Sequence, residues 1–336
     1  MKFGIWYDFR NPKRWRKTWV SLYSELLEQI VWADELGFES VWLSEHHFTE
    51  DGYMPSVFPV LAAIAQRTRK LRLGTAVLLA PQHHPLRLAE DAAVVDVLSD
   101  GRLELGLAPG YRPVEFQTLG IPKHQRGRRT DETIEILRLA WRGDRFTYDG
   151  QIFQFESVVT QPTPVHPTGV PIHVGGSSGA AAQRAGRFGC NFMPDVGTPS
   201  ALYELYWDEL QRAGAELSQF EVTTNGCIYV CEDPEQGWND VKESLSYMYD
   251  HYQIWASEAG DVLAATSTAD ASDPTSDLCI VGTPTAVAER LAGIEDEFSP
   301  DRFIFWARLP GLSIEKSNRS LELFSNEVIP LIAKSS

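Results

Sequence analysis

The sequence is poor in cysteine and in positive charge, and it lacks any long apolar run. Its four cysteines (Cys190, Cys227, Cys231, Cys279) are scattered through 336 residues with no Cys-x-x-Cys pair. That pattern argues against a disulfide scaffold and predicts reduced, mostly buried thiols in a cytoplasmic protein. Thirty Lys and Arg stand against 46 Asp and Glu, a formal net charge of −16. Such a surface disfavours broad contact with nucleic-acid phosphates or an anionic membrane. No stretch approaches the ~20 apolar residues that span a bilayer. The opening segment lacks a signal-peptide core, since Asp8 and Arg10 interrupt it at once. No solenoid repeat and no dividing linker is visible.

What is present is the composition of an ordinary globular protein, 43% hydrophobic and 23% charged, in a chain long enough to bury a large core. The first half alternates β-rich runs with helical patterns. Lys2–Tyr7 reads as a strand, and Leu22, Leu26, Ile30 and Ala33 then mark one face of a helix that stops at Gly37. Strands over 40–44, 71–79 and 102–108 alternate with helices over 58–69 and 86–98. Later strands are expected at 171–175, 191–194, 222–230 and 302–307, with helices at 130–141 and at the end of the chain, where Leu321, Phe324, Val328 and Leu331 share a face. Repeated β-then-α units predict a parallel sheet covered by helices, and eight of them predict a (β/α)8 TIM barrel forming a single domain over 1–336.

Two segments depart from that rhythm. Residues 146–163 read as a hairpin insertion turning at Asp149-Gly150. Residues 264–277 are mostly Ala, Ser, Thr and Asp and predict either a lid loop or a surface loop without function.

In such a barrel, catalysis sits at the C-terminal ends of the strands. The second strand runs into Glu45-His46-His47-Phe48, the third into His83-His84-Pro85, and the fourth into Pro109-Gly110-Tyr111-Arg112. His46 is the candidate acid–base group, its tautomer set by the neighbouring Glu45; the alternative is a histidine bonded to a loop carbonyl. Gly176-Ser177-Ser178 precedes a helix, so free N–H groups and small hydroxyls form a candidate anion site. An ordinary glycine-rich turn capped by Ser178 is the alternative. The paired histidines make a poor metal site, because neighbours on a strand point to opposite sides; no metal is expected. Trp6, Tyr7 and Tyr111 are either pocket lining or barrel packing.

Several blocks together resemble the bacterial luciferase-like flavin-dependent oxidoreductases. They are Val41-Trp42-Leu43-Ser44-Glu45-His46-His47-Phe48, Leu71–Val77, His84–Asp91, Asp96–Arg102, Gly110–Phe116, Val281-Gly282-Thr283-Pro284 and Val328-Ile329-Pro330-Leu331. The blocks lie in family order over nearly the whole chain. The resemblance implies a (β/α)8 barrel paired as a homodimer, with reduced flavin at the strand ends. It makes His46 the catalytic histidine, Ser178 a flavin-phosphate ligand and Glu90 a carboxylate near the flavin ring. It also implies a non-prolyl cis peptide at Ala76-Val77 beneath that ring. Glu45, Gly110, Tyr111, Arg112, Gly176 and Ser177 complete the implied cofactor-binding set. Where luciferase has Cys-Arg before the glycine after the fourth strand, this chain has Ala108-Pro109-Gly110. The lost arginine leaves a phosphate-binding role to be filled, with Arg112 as the candidate, and the lost cysteine argues against light emission.

The implied activity is that of a monooxygenase that takes reduced FMN from a separate flavin reductase, since no NAD(P)-binding fingerprint occurs. With O2 it would oxygenate a hydrophobic organic substrate such as an aldehyde or ketone. The alternatives are hydride transfer with the deazaflavin F420, and a non-catalytic flavin-binding partner subunit.

Overall fold

The computed structural model describes residues 1–260 and 279–335. Eight strands form the central sheet: β1 (Lys2–Tyr7), β2 (Ser40–Leu43), β3 (Arg72–Thr75), β4 (Leu103–Ala108), β5 (Ile172–Gly175), β6 (Asn191–Met193), β7 (Thr223–Gly226) and β8 (Arg302–Trp306). All their pairings are parallel, in the order β7-β8-β1-β2-β3-β4-β5-β6. Single bridges Phe192↔Val222 and Asp195↔Asn225 join the two ends. The result is the predicted barrel, nearly closed.

The strands are buried on both faces, as parallel strands under helices must be. Trp42 fills part of the interior, its indole N–H donating to Ser40 Oγ at 2.9 Å. Gly74 is required opposite it, because a Cβ there would lie 2.1 Å from the Trp42 ring. Helices α1 (Trp19–Leu36), α2 (Val57–Arg67) and α3 (Pro85–Ser99) cover the first strands. α1 starts at Thr18, whose side chain accepts from Ser21 N, buries Leu22, Leu26, Ile30 and Ala33, and ends at Gly37 with φ 90°. Next come α4 (Pro113–Thr118), α5 (Arg126–Ala140), α6 (Gly179–Arg187), α7 (Ser200–Arg212) and α8 (Pro234–Ala259).

Four expectations need adjustment. The third strand is not continuous: it breaks after Thr75 and resumes at Leu78–Leu79, which pairs with Leu107 and Ala108. The run 222–230 also divides, with β7 in the barrel and Ile228–Val230 pairing outside it with Ile280–Gly282. Cys227 and Cys279 sit just before that pair and are joined as a disulfide, Cα–Cα 4.4 Å. The expectation of four reduced thiols therefore holds only for Cys190 and Cys231, which are buried and free. The final helix runs through one wide π turn at Phe324–Val328. The hairpin is present as Phe146–Asp149 against Gln154–Val158, and four turn N–H contacts from residues 151–153 converge on the Glu132 carboxylate. The lid expected over 264–277 lies outside the described residues. Among the described residues, no helix is long and apolar enough to cross a membrane.

Candidate active site

The loops after β2, β3 and β4 meet at the C-terminal mouth of the barrel. Glu45 and His46 are neighbours in sequence, but their side chains diverge, and this corrects the expected pairing. Glu45 Oε2 accepts from Leu79 N at 2.7 Å, and Oε1 meets His83 Nε2 at 2.8 Å. His46 Nδ1 instead lies 2.8 Å from Glu115 Oε1, a residue of α4. Glu115 is fully buried and also accepts from His47 N (3.0 Å), Arg112 Nη1 (3.2 Å) and Gln82 Nε2 (3.2 Å). The carboxylate that fixes the His46 tautomer is thus Glu115. It keeps the proton on Nδ1, and Nε2 has no hydrogen-bond partner among the described residues.

The electrostatics agree with a neutral His46. Burial, with the charges of Arg112 and Arg10, pushes its pKa below the ordinary value against the pull of Glu115. Burial alone would raise both carboxyls. The bonds and charges of His46, His47 N and Arg112 outweigh it at Glu115, which stays below the usual range. At Glu45, His83 and His47 do the same and hold it at about 2.

Aromatic rings wall this histidine. Tyr53 and Trp255 lie 4.8 and 5.0 Å from it, and Tyr111 5.8 Å. Trp255, near the end of α8, is the hub. Arg112 stacks 4.2 Å over its ring, and Arg10 packs at 5.2 Å. Arg10 is buried, with Nε on Asp51 Oδ2 at 2.7 Å and Tyr53, Tyr247 and Tyr252 around its guanidinium. These contacts hold α8 against the mouth. Of the other aromatics, Trp6 stacks on Trp306 at 4.1 Å. Tyr7 is core packing, its hydroxyl donating to Gln29 of α1.

Ala76-Val77 is a cis peptide, as the resemblance implies. It lies against two glycines: a Cβ on Gly106 would fall 2.0 Å from Thr75 O, and one on Gly175 would fall 2.5 Å from Val77 Cγ1. Gly175 leads to Gly176, at φ 125°, and then to Ser178, whose hydroxyl caps α6 by accepting from Ala181 N. The cis peptide and the glycine–serine run therefore adjoin. The first-turn N–H groups of α6 are those a helix leaves unsatisfied. The glycines let the strands close tightly around the cis peptide, and a planar group over that peptide with its phosphate on the first turn of α6 fits the donors there.

Not every expected ligand converges there. The Ser177 hydroxyl is committed, donating to Asp195 Oδ2 and accepting from Asp195 N and Thr198 Oγ1. Glu90 is half-exposed on α3 and paired with Arg87 at 2.5 Å. Gly110 turns the chain at φ 71° before Tyr111. Arg112 donates to His47 O and Glu115 and stacks on Trp255; none of these contacts reaches residues 176–178. Sequence reasoning missed Glu115, Trp255, Arg10 and His83 as members of the site. For Glu115 a signal existed, since an acid three residues after Arg112 on a short helix shares its face.

Comparison with known proteins agrees with this geometry. The family model for luciferase-like monooxygenases matches residues 1–298. The oxygenase component of a flavin-dependent trigonelline monooxygenase from Acinetobacter baylyi is 27% identical, covering all of this chain and 96% of the relative. An F420-dependent glucose-6-phosphate dehydrogenase from Nakamurella multipartita is 29% identical over 65% of this chain and 67% of its own length. The crystal structure of monooxygenase RslO1 from Streptomyces bottropensis superposes with a TM-score of 0.85 at 27% identity, covering 98% of this chain and 99% of that one. With the barrel, the cis peptide and the buried histidine in place, the chain belongs to the luciferase-like monooxygenase family of flavin-dependent oxidoreductases.

Proposed function

We propose that this protein is the oxygenase of a two-component monooxygenase, receiving reduced FMN from a separate reductase and using O2 to oxygenate a small organic substrate such as an aldehyde or ketone. The observation that carries the reading is the Glu115–His46 pair at the barrel mouth, with a neutral imidazole and a free Nε2. Reduced flavin supplies the electrons for oxygen activation when bound. The chain's own part is to bind, orient and move a proton. Ala76-Val77, Gly176 and the α6 N–H groups with Ser178 would hold the cofactor, and Ser177 braces the loop through Asp195. Glu115 keeps the His46 proton on Nδ1, so Nε2 takes a proton from the reacting group and returns it. Tyr53, Tyr111 and Trp255 exclude water around that atom. In this reading the protein acts in the cytoplasm as a homodimer.

Anaerobic titration with reduced FMN, followed by mixing with air, tests the reading. Flavin reoxidation that is slowed and spectrally altered by the protein is expected. Reoxidation at the rate of free flavin would sink it, and binding of F420, the cofactor named for the Nakamurella dehydrogenase, would then favour hydride transfer.

A further inference from the structure

A cavity of about 460 Å³ opens between the loop after β1, the loop after β2 and the end of α8, and Arg112 and Trp255 separate it from His46. Its walls include the planar rings of Phe48, Tyr247, His251 and Trp255. Its charges run against those of the molecule: Lys13, Arg14, Arg16 and Arg112 face Glu50 and Asp51, in a chain of net charge −16. The outer cations are partly spent, Lys13 on Glu50 and Arg14 on Glu243, and the Asp51 charge is taken by Arg10. Arg112 differs from them. It is buried, only 5% exposed, and its Nη1 is used by His47 O and Glu115, while Nε, shielded from solvent, has no hydrogen-bond partner among the described residues. A buried guanidinium N–H without an acceptor costs free energy unless a ligand supplies one. The Nε edge of an arginine is one that a carboxylate bridges with two parallel hydrogen bonds.

We infer that this cavity receives a planar carboxylic acid, its carboxylate on the free edge of Arg112 and its ring against Trp255. The assignment rests on the monooxygenase reading, naming the substrate class for the same site. Trp255 touches both Arg112 and His46, so an acid held this way presents the rest of its ring towards the base. The outer cations then draw anions to the mouth without each needing to bind one. The aldehyde or ketone proposed above would on this assignment carry a carboxylate as well, since one without it leaves Arg112 Nε unanswered.

Calorimetric titration of the full chain with benzoate and with benzamide is the test, alongside titration with FMN. Benzoate is expected to bind at least roughly tenfold tighter than benzamide, and added salt should narrow the gap. Arg112→Gln should abolish that preference, Arg112→Lys should keep part of it, and both should still bind FMN. Equal binding of the two probes by the wild type overturns the inference without recourse to a variant. So does an Arg112→Gln protein of native circular dichroism that retains the preference, or one that loses FMN instead. The two readings fail separately. FMN binding without benzoate selectivity removes the acid site alone, whereas benzoate selectivity without flavin binding removes the monooxygenase and leaves the acid site standing.

Discussion

The two ends of the barrel hold comparable sets of buried charges and treat them differently. At the N-terminal end, Arg302 is 1% exposed and donates to Glu39 at 2.7 Å, Glu104 at 2.8 Å and Glu221 at 3.3 Å. Glu104 also meets His173 Nε2 at 2.8 Å and pairs with Arg72. These partners outweigh burial and hold Glu104 well below the ordinary carboxyl range. The register explains the meeting, since Arg302 stands beside Lys2 and Thr223, and Leu73 beside Leu103. At the C-terminal end, Trp6 Nε1, Asp8 Oδ2, Arg10 Nη1 and Nη2, Gln82 Oε1, Arg112 Nε and Trp306 Nε1 are buried without a hydrogen-bond partner among the described residues. The base of the barrel spends its polar atoms on itself, with His173 Nδ1 and Thr223 Oγ1 as exceptions. The mouth withholds them, as a binding surface must.

That contrast breaks if a change at one end has the effect due at the other. His46→Ala should cost about 10²–10⁴-fold in turnover while the urea midpoint stays close to wild type; a large fall in midpoint would make His46 structural. Arg302→Met should do the opposite. It leaves Glu39, Glu104 and Glu221 facing one another and should lower unfolding free energy by about 3–5 kcal/mol. FMN affinity of the folded protein should be unchanged, so a selective loss of flavin would erase the distinction between the ends.

Glu115→Gln sharpens it. Turnover should fall by roughly tenfold or more through loss of tautomer control, and the pH profile carries the specific signature. Glu115 raises the His46 pKa against burial. Removing its charge therefore lowers that pKa further, and the acid limb of the pH–rate profile should move to lower pH. A profile shifted to higher pH, or not at all, would show that Glu115 does not act through His46. The smallest effect is expected for Ser178→Ala, about 1 kcal/mol of stability from the lost cap with measurably weaker FMN binding. Unchanged FMN affinity would place the phosphate elsewhere.

How much of this was legible in the sequence depended on range. Strand and helix periodicity is local, and the barrel followed from it. Breaks within strands were only partly marked: the resemblance put a cis peptide at Ala76-Val77, where the third strand parts, and Asn225-Gly226 is a turn pair where 222–230 divides, but the apolar and β-branched residues around both read as one continuous strand. The Glu45–His46 pairing was misread for a similar reason. Adjacency in sequence suggested contact, whereas the pleat sends neighbours apart and lets a residue 69 positions away reach His46. Trp255 and Arg10 carry no local motif, and only the fold brings α8 over the loop after β1. The Cys227–Cys279 bridge depends on the parallel register of Ile228 and Ile280, which spacing alone does not reveal.

Trp255 binds together two properties that are often separable in evolution. The same indole flanks the His46 imidazole and the guanidinium at the cavity wall. A lineage that replaces it to admit a different molecule also resets the polarity around its base. Changes of substrate in this protein are therefore expected to arrive with compensating substitutions at Tyr53 or Tyr111, rather than singly.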